Sequence, residues 1–208
     1  MGTDEVPEEL AKLARDRGVE LQRTDVYKDA LAVVVHPDNP VRGLTLKQIR
    51  DVFRGAVTNW SHVGGPDQPI TVFTPQSTSA TYEVFKKVVL GSDAVLTPKA
   101  TVLQGRRLRE GLPEWGIAYA GAGQAVRINK AGAKGGDAGT RELLHVLTVD
   151  GVAPSTATIQ SGAYPIVRHM SLYQRAPGTP LGNAVIKYFL DPEKGRARIL
   201  QDGNVPMN

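Results

Sequence analysis

The 208-residue sequence contains no cysteine. That excludes disulfides, thiolate catalysis and cysteine-bound metal, and leaves the compartment open. Long apolar runs are also missing. The densest, Ala30 to Val35, is strand-sized and far short of the ~20 residues that cross a bilayer. The opening Met1-Gly2-Thr3-Asp4-Glu5 is acidic and has no apolar stretch, so it is not a signal peptide; either the protein stays inside the cell or the mature chain begins at a boundary just before it. The histidines, His36, His62, His145 and His169, stand far apart, with no His-x-x-x-His pair, so neither a metal nor another cofactor is expected. No Gly-x-Ser-x-Gly elbow is present, and Gly132 to Gly139 lacks the Gly-Lys-Ser/Thr of a phosphate loop, so no catalytic constellation emerges. Aromatics are sparse and do not interleave with the basic residues, whose tightest group is Arg106, Arg107 and Arg109, which reads against nucleic acid.

What is present is an ordinary globular composition, 41 % apolar and 22 % charged, with a net charge of +4 that suits small anions. Pro7, Leu10, Leu13 and Ala14 with Gly18 as stop predict a first helix. Val19 to Leu21 starts an extended segment, and Ala30 to His36 reads as a strand buried on both faces, as in a mostly parallel sheet. After the turn Pro37 to Pro40, Thr45 caps a helix with Leu46, Ile49, Val52 and Phe53 on its apolar face. Ile70 to Phe73, Ile117 to Ala120, Leu143 to Val149 and Tyr164 to Tyr173 are further strands. Helices follow around Val84 to Val89, at Ile159, over Pro180 to Leu190, and from Asp191-Pro192 toward Gln201. Lys130 to Thr140, rich in Gly, Ala and Lys, reads as a mobile loop. Trp60, Trp115 and Tyr119 have the look of core residues. The alternation of strands and helices is that of an α/β protein.

Several segments in chain order resemble the phosphate-type substrate-binding proteins of ABC importers, which have the type II periplasmic-binding-protein-like fold. They are Ala30 to Pro40; Leu44 to Trp60 with its Phe-x-Gly step and Thr-Asn-Trp ending; Gly64 to Asp67; Ser79 to Phe85; Gly116-Ile117-Ala118-Tyr119; Tyr164-Pro165 with Arg168; and Pro180 to Pro206. The resemblance implies two lobes with mixed sheets flanked by helices. Residues 1–65 would give part of lobe one, 66–163 lobe two, and 164–208 the return to lobe one. The family's opening strands and their acidic ligand contact have no counterpart here. Lobe one would therefore leave an open edge, with Val33 and Val35 facing water unless a second copy or a partner segment completes it.

Ser77-Thr78-Ser79-Ala80-Thr81 places hydroxyls where a strand gives way to a helix, the position at which N–H groups and the helix dipole favour an anion. Ser and Thr also serve there simply as caps. The resemblance aligns Thr81 with the end of the family's Arg-x-x-Gly-Ser-Gly-Thr loop, so Pro75 stands for its arginine, Thr78 and Ala80 for its glycines, and Ser79 for its serine. Ser77, Thr78, Ser79 and Thr81 are thus the expected ligand contacts. Arg168 would supply replacement charge, or else an ion pair that braces the lobe. The expected activity is non-enzymatic: capture of a small oxyanion, phosphate first, between the lobes, with delivery to importer membrane subunits outside the cytoplasm. The alternative is a degenerate module that has lost phosphate binding and serves a structural, sensor or protein-interaction role.

Overall fold

The computed structural model describes residues 6, 8–91, 94–103, 107–132 and 142–207, and at 107, 109 and 130–132 the backbone alone. The chain divides into two compact units, Met1–Asp29 with Arg168–Asn208, and Ala30–Val167. These junctions fall at 29/30 and 167/168, whereas the lobes that the resemblance implies would meet at 65/66 and 163/164.

The larger unit is built on the second half of β1 (Leu21–Val35). Ala30 to Val35 are at most 1 % exposed, because strands flank both edges and both faces are packed. The strand order is β4 (Thr101–Val102), β3 (Thr71–Thr74), β5 (Gly116–Gly121), β1 and β6 (His145–Val146). β3 runs parallel to β4 and β5, whereas β1 is antiparallel to β5, with Val33 opposite Tyr119, and to β6, with Val34 opposite Val146. The sheet is therefore mixed. Burial on both faces, not parallel pairing, produces the unbroken apolar run, which corrects the pairing expected for it. Val33 and Val35 are fully buried, so the reason for expecting them to face water is removed.

The helix α2 (Leu46–Arg54) begins at Thr45 with a capping box: Thr45 Oγ1 accepts from Gln48 N at 3.1 Å and Gln48 Oε1 from Thr45 N at 2.8 Å. Its apolar face buries Ile49, Val52 and Phe53. Phe53 meets Phe85 and Tyr119 edge-on, at 4.7 and 5.4 Å between ring centroids, while Phe85 and Tyr119 stack at 3.7 Å. Phe85 ends α3 (Ala80–Phe85), which continues as a wider turn over Lys86–Leu90.

Three local expectations change. Lys130 to Gly132 are not loop but the end of a helix, α4 (Ala122–Gly132); residues 133–140 lie outside the described residues. Leu143 to Val149 is two short strands, β6 and β7 (Thr148–Val149), because β7 leaves the main sheet to pair with β2 (Gly43–Leu44). Tyr164 precedes the return strand rather than starting it, and its buried hydroxyl donates to Leu31 O at 2.9 Å. A short helix, α5 (Thr156–Ser161), stands before it.

The smaller unit pairs the first half of β1 with β8 (Val167–Arg175) and with β9 (Val205–Pro206). α1 (Glu8–Asp16), α6 (Pro180–Leu190) and α7 (Lys194–Gln201) complete it. Asp191 Oδ1 accepts from the backbone N–H groups of Glu193 and Lys194 at 2.9 and 2.7 Å, in the turn that leads into α7, whose N-cap position is Glu193. Those bonds, the Lys194 one first, hold the Asp191 carboxyl below the usual carboxylate range.

Candidate functional site

β3 and β5 are parallel neighbours, so their carboxyl ends emerge together. β5 runs directly into α4, whereas β3 leads into α3 through Pro75 to Ser79. Ligands of open α/β sheets bind where strands end in this way. A cavity of about 180 Å³ lies there, walled by Pro75, Ser79, Thr81, Tyr119, Ala120 and Gln124, with Leu103 and Leu108 as its apolar side. At ~30 Å³ per water it suits a ligand of only a few heavy atoms.

Ser79 is extended and caps α3: its Oγ accepts from Thr81 N at 3.2 Å, while its own N–H donates to Gln76 O at 2.9 Å. Accepting that bond leaves the Ser79 hydroxyl proton to donate. Ser79 and Thr81 are half-buried at the wall, whereas Ser77 and Thr78 are exposed on the preceding turn and do not line the cavity. The structure thus brings together two of the four expected hydroxyl residues. Pro75, in the family's arginine position, is part of the wall, and among the described lining residues none is charged.

Tyr119 is both core and wall. Its hydroxyl lies 2.8 Å from Thr74 Oγ1, which also donates to Pro75 O at 3.2 Å. Thr74 has one proton, so with that proton on Pro75 O the tyrosine donates to Thr74. Burial pushes the Tyr119 phenol well above the ordinary tyrosine value, despite the opposing Thr74 bond, so it stays neutral. Gln124, on the first turn of α4, brings an amide donor that the sequence reading missed. The signal for it was that a second strand, Gly116 to Gly121, also ends at a helix start.

Arg168 belongs to the smaller unit, where its Nε and Nη2 donate to Asp29 Oδ2 at 2.9 and 2.6 Å. Its guanidinium is thus engaged as an ion pair. Nearby on the same strands, Ser171 Oγ donates to Asp25 Oδ1 at 2.6 Å, and Arg23 Nε reaches the same oxygen at 2.7 Å. A second cavity, about 370 Å³, lies at the opposite end of β3 among Val52, Val57, Pro69, Ile70 and Val72, with Lys99. It has the wrong position for a strand-end ligand site. Among the described residues no group of three or more His, Asp or Glu could hold a metal ion, and no helix is long and apolar enough to cross a membrane.

The chain can now be set beside known proteins. A protein of Bacillus subtilis named phosphate-binding protein PstS is 24 % identical over 180 residues, covering 85 % of this chain and 55 % of its own length. Protein SphX of Synechococcus elongatus is 29 % identical over 184 residues, 81 % of this chain and 50 % of its own. The chain thus spans about half the length of the curated relatives it matches. Among solved structures, a Clostridium perfringens protein described as a phosphate ABC transporter substrate-binding protein, with phosphate bound, superposes with a TM-score of 0.76 at 23 % identity, over all of this chain and 78 % of that one. An ABC-type phosphate transport receptor from Vibrio cholerae gives 0.72 at 22 % identity, over 90 % and 73 %. These likenesses establish the fold as the type II periplasmic-binding-protein-like one. The model of the PBP superfamily domain matches residues 4–193, so the chain belongs to the PBP superfamily, and it resembles the phosphate-type substrate-binding proteins of that superfamily.

Proposed function

We propose that the chain is a non-enzymatic binding domain that captures a small oxyanion, phosphate first, at the ends of β3 and β5. The observation that carries this reading is the cavity itself, small and lined by the Ser79 and Thr81 hydroxyls and the Gln124 amide, where α3 and α4 begin. Hydroxyl and amide donors with two helix starts are groups that favour an anion. Ser77 and Thr78 sit on the turn beside it, within reach of a loop rearrangement. Arg168 acts in this reading as the partner of Asp29. Delivery to the membrane subunits of an importer, outside the cytoplasm, is the physiological role that the relatives suggest.

A second reading has one observation in its favour. Among the described lining residues none is charged, and the arginine position is Pro75, so those residues offer an oxyanion no bidentate guanidinium contact. Under this reading the domain is a sensor, structural or protein-interaction module without phosphate affinity. Titration calorimetry with phosphate and sulfate separates the two. Saturable heat with one-to-one stoichiometry supports capture, and flat titrations at millimolar anion favour the module.

A further inference from the structure

Three residues of the small cavity's wall are tied to one buried residue that is not itself part of the wall. Thr74, the last residue of β3, is 3 % exposed. Its carbonyl accepts from Leu103 N at 2.7 Å; its Oγ1 lies 2.8 Å from the Tyr119 hydroxyl and donates to Pro75 O at 3.2 Å. Leu103, Tyr119 and Pro75 all line the cavity. The bond to Pro75 bears most directly on a ligand. Proline has no N–H, so Pro75 brings only a carbonyl to the start of the β3–α3 loop. A carbonyl oxygen carries partial negative charge and repels an oxyanion that approaches it. The Thr74 proton occupies that oxygen and draws it toward β3.

On the oxyanion capture proposed above, we infer that Thr74 is a positioning residue that sets which protonation state of phosphate the cavity prefers. It does so by holding the Pro75 carbonyl off the ligand. While Thr74 holds Pro75 O, the Ser79 hydroxyl and the Gln124 amide can meet a dianion. Thr74→Val keeps the branched shape but releases that oxygen. The wall then gains an acceptor, which repels the dianion and accepts a hydrogen bond from the additional P–OH of the monoanion. Binding therefore weakens, and it weakens most for the dianion. The ionisable groups that act on this corner are Tyr119 itself, which stays neutral, and Tyr82 and Glu83 of α3. Parent and Thr74→Val share them, so their own titration cancels in the comparison.

Calorimetry with inorganic phosphate in mildly acidic and mildly alkaline buffer tests this on the parent, Thr74→Val and Thr74→Ser. In alkaline buffer, where the dianion dominates, Thr74→Val should bind about tenfold more weakly than the parent. In acidic buffer, where the monoanion dominates, it should lose distinctly less. Thr74→Ser keeps the hydroxyl and should follow the parent in both. An equal loss in both buffers marks Thr74 as merely structural and overturns the inference. So does a Thr74→Val that binds like the parent, or a Thr74→Ser that loses as much as Thr74→Val. A parent that binds no phosphate in either buffer removes the proposed capture and this inference together; a binding parent with any of those three results removes the inference alone. Should Thr74→Val fail to fold, the double variant Thr74→Val with Tyr119→Phe, which strands no phenol, is read against Tyr119→Phe in the same two buffers.

Discussion

Asp29 and Arg168 are held together by two hydrogen bonds to one carboxylate oxygen, at 2.6 and 2.9 Å, and they are the residues at which the chain leaves the smaller unit and re-enters it. Their side chains are 11 % and 14 % exposed, which makes this a nearly buried ion pair. Removing one partner strands the other charge. Arg168→Met or Asp29→Asn should each lower stability by about 3 kcal/mol in a urea melt. The double variant should recover part of that loss. If the double variant costs the sum of the two single losses, the pair is not coupled.

Asp25 gives the smaller unit an acid-sensitive contact. Burial pushes its carboxyl up, but the hydrogen bonds from Ser171 and Arg23, with the Arg23 charge, outweigh this and leave it below the ordinary value. A carboxyl lowered in the folded state adds stability that is complete above the unfolded value of about 4. That stability disappears as the pH falls through the lower folded value. Asp25→Asn should therefore reduce stability at neutral pH and flatten the acid limb of a stability-against-pH curve. An unchanged limb would show that the Ser171 and Arg23 bonds contribute no proton linkage.

The hydroxyl of Tyr119 links the core to the cavity wall through Thr74, which is itself buried. Tyr119→Phe keeps the stack on Phe85 and removes one buried hydrogen bond, so a loss of about 1 kcal/mol in thermal or chemical unfolding is expected. Because this hydroxyl donates to Thr74, phosphate affinity should change less in Tyr119→Phe than in variants of Ser79 or Thr81.

Thr45 is the clearest cap in the chain. Thr45→Ala removes the hydroxyl that accepts from Gln48 N, leaves the backbone N–H that donates to Gln48 Oε1, and should cost about 1 kcal/mol, read from the unfolding midpoint. Gln48→Ala should cost less, because the Thr45 hydroxyl can still accept from the Gln48 backbone.

The elements that could be read from the residues are those whose signals are local. Thr45 and Gln48 bracket the start of α2, and Thr179 with Pro180 sets the start of α6, which runs to Leu190 as its pattern indicates. The first half of β1 was not legible because Leu21 to Asp29 is mostly polar. Its charges are satisfied by Ser171 and Arg168, nearly 150 residues away, and no local pattern shows such partners. α4 hid behind glycine and alanine, although Ala122, Ala125 and Ile128 recur at helical spacing and are buried. Asn129 anchors its far end through bonds to Leu143 N and to Leu144 N and O. Strand direction was unreadable from Ala30 to Val35, since a strand covered on both faces is apolar throughout whichever way its neighbours run. At the candidate site the hydroxyl-rich loop was visible, but which hydroxyls turn inward depends on the geometry of the Ser79 cap, and Gln124 comes from a different strand end.

Phosphate affinity across hydroxyl variants of the β3–α3 loop tests the central claim most directly. Thr81→Val removes a wall hydroxyl and leaves the Ser79 cap intact; Ser79→Ala removes hydroxyl and cap together, so its fold is checked by thermal melting. By calorimetry the parent should bind phosphate, and each of these variants should bind more weakly by about 1–3 kcal/mol, as for a lost bond to a charged group. Ser77→Ala, on the exposed turn, should lose less. A parent without measurable phosphate binding, or a folded Thr81→Val and a folded Ser79→Ala that both bind as tightly as the parent, would contradict the account.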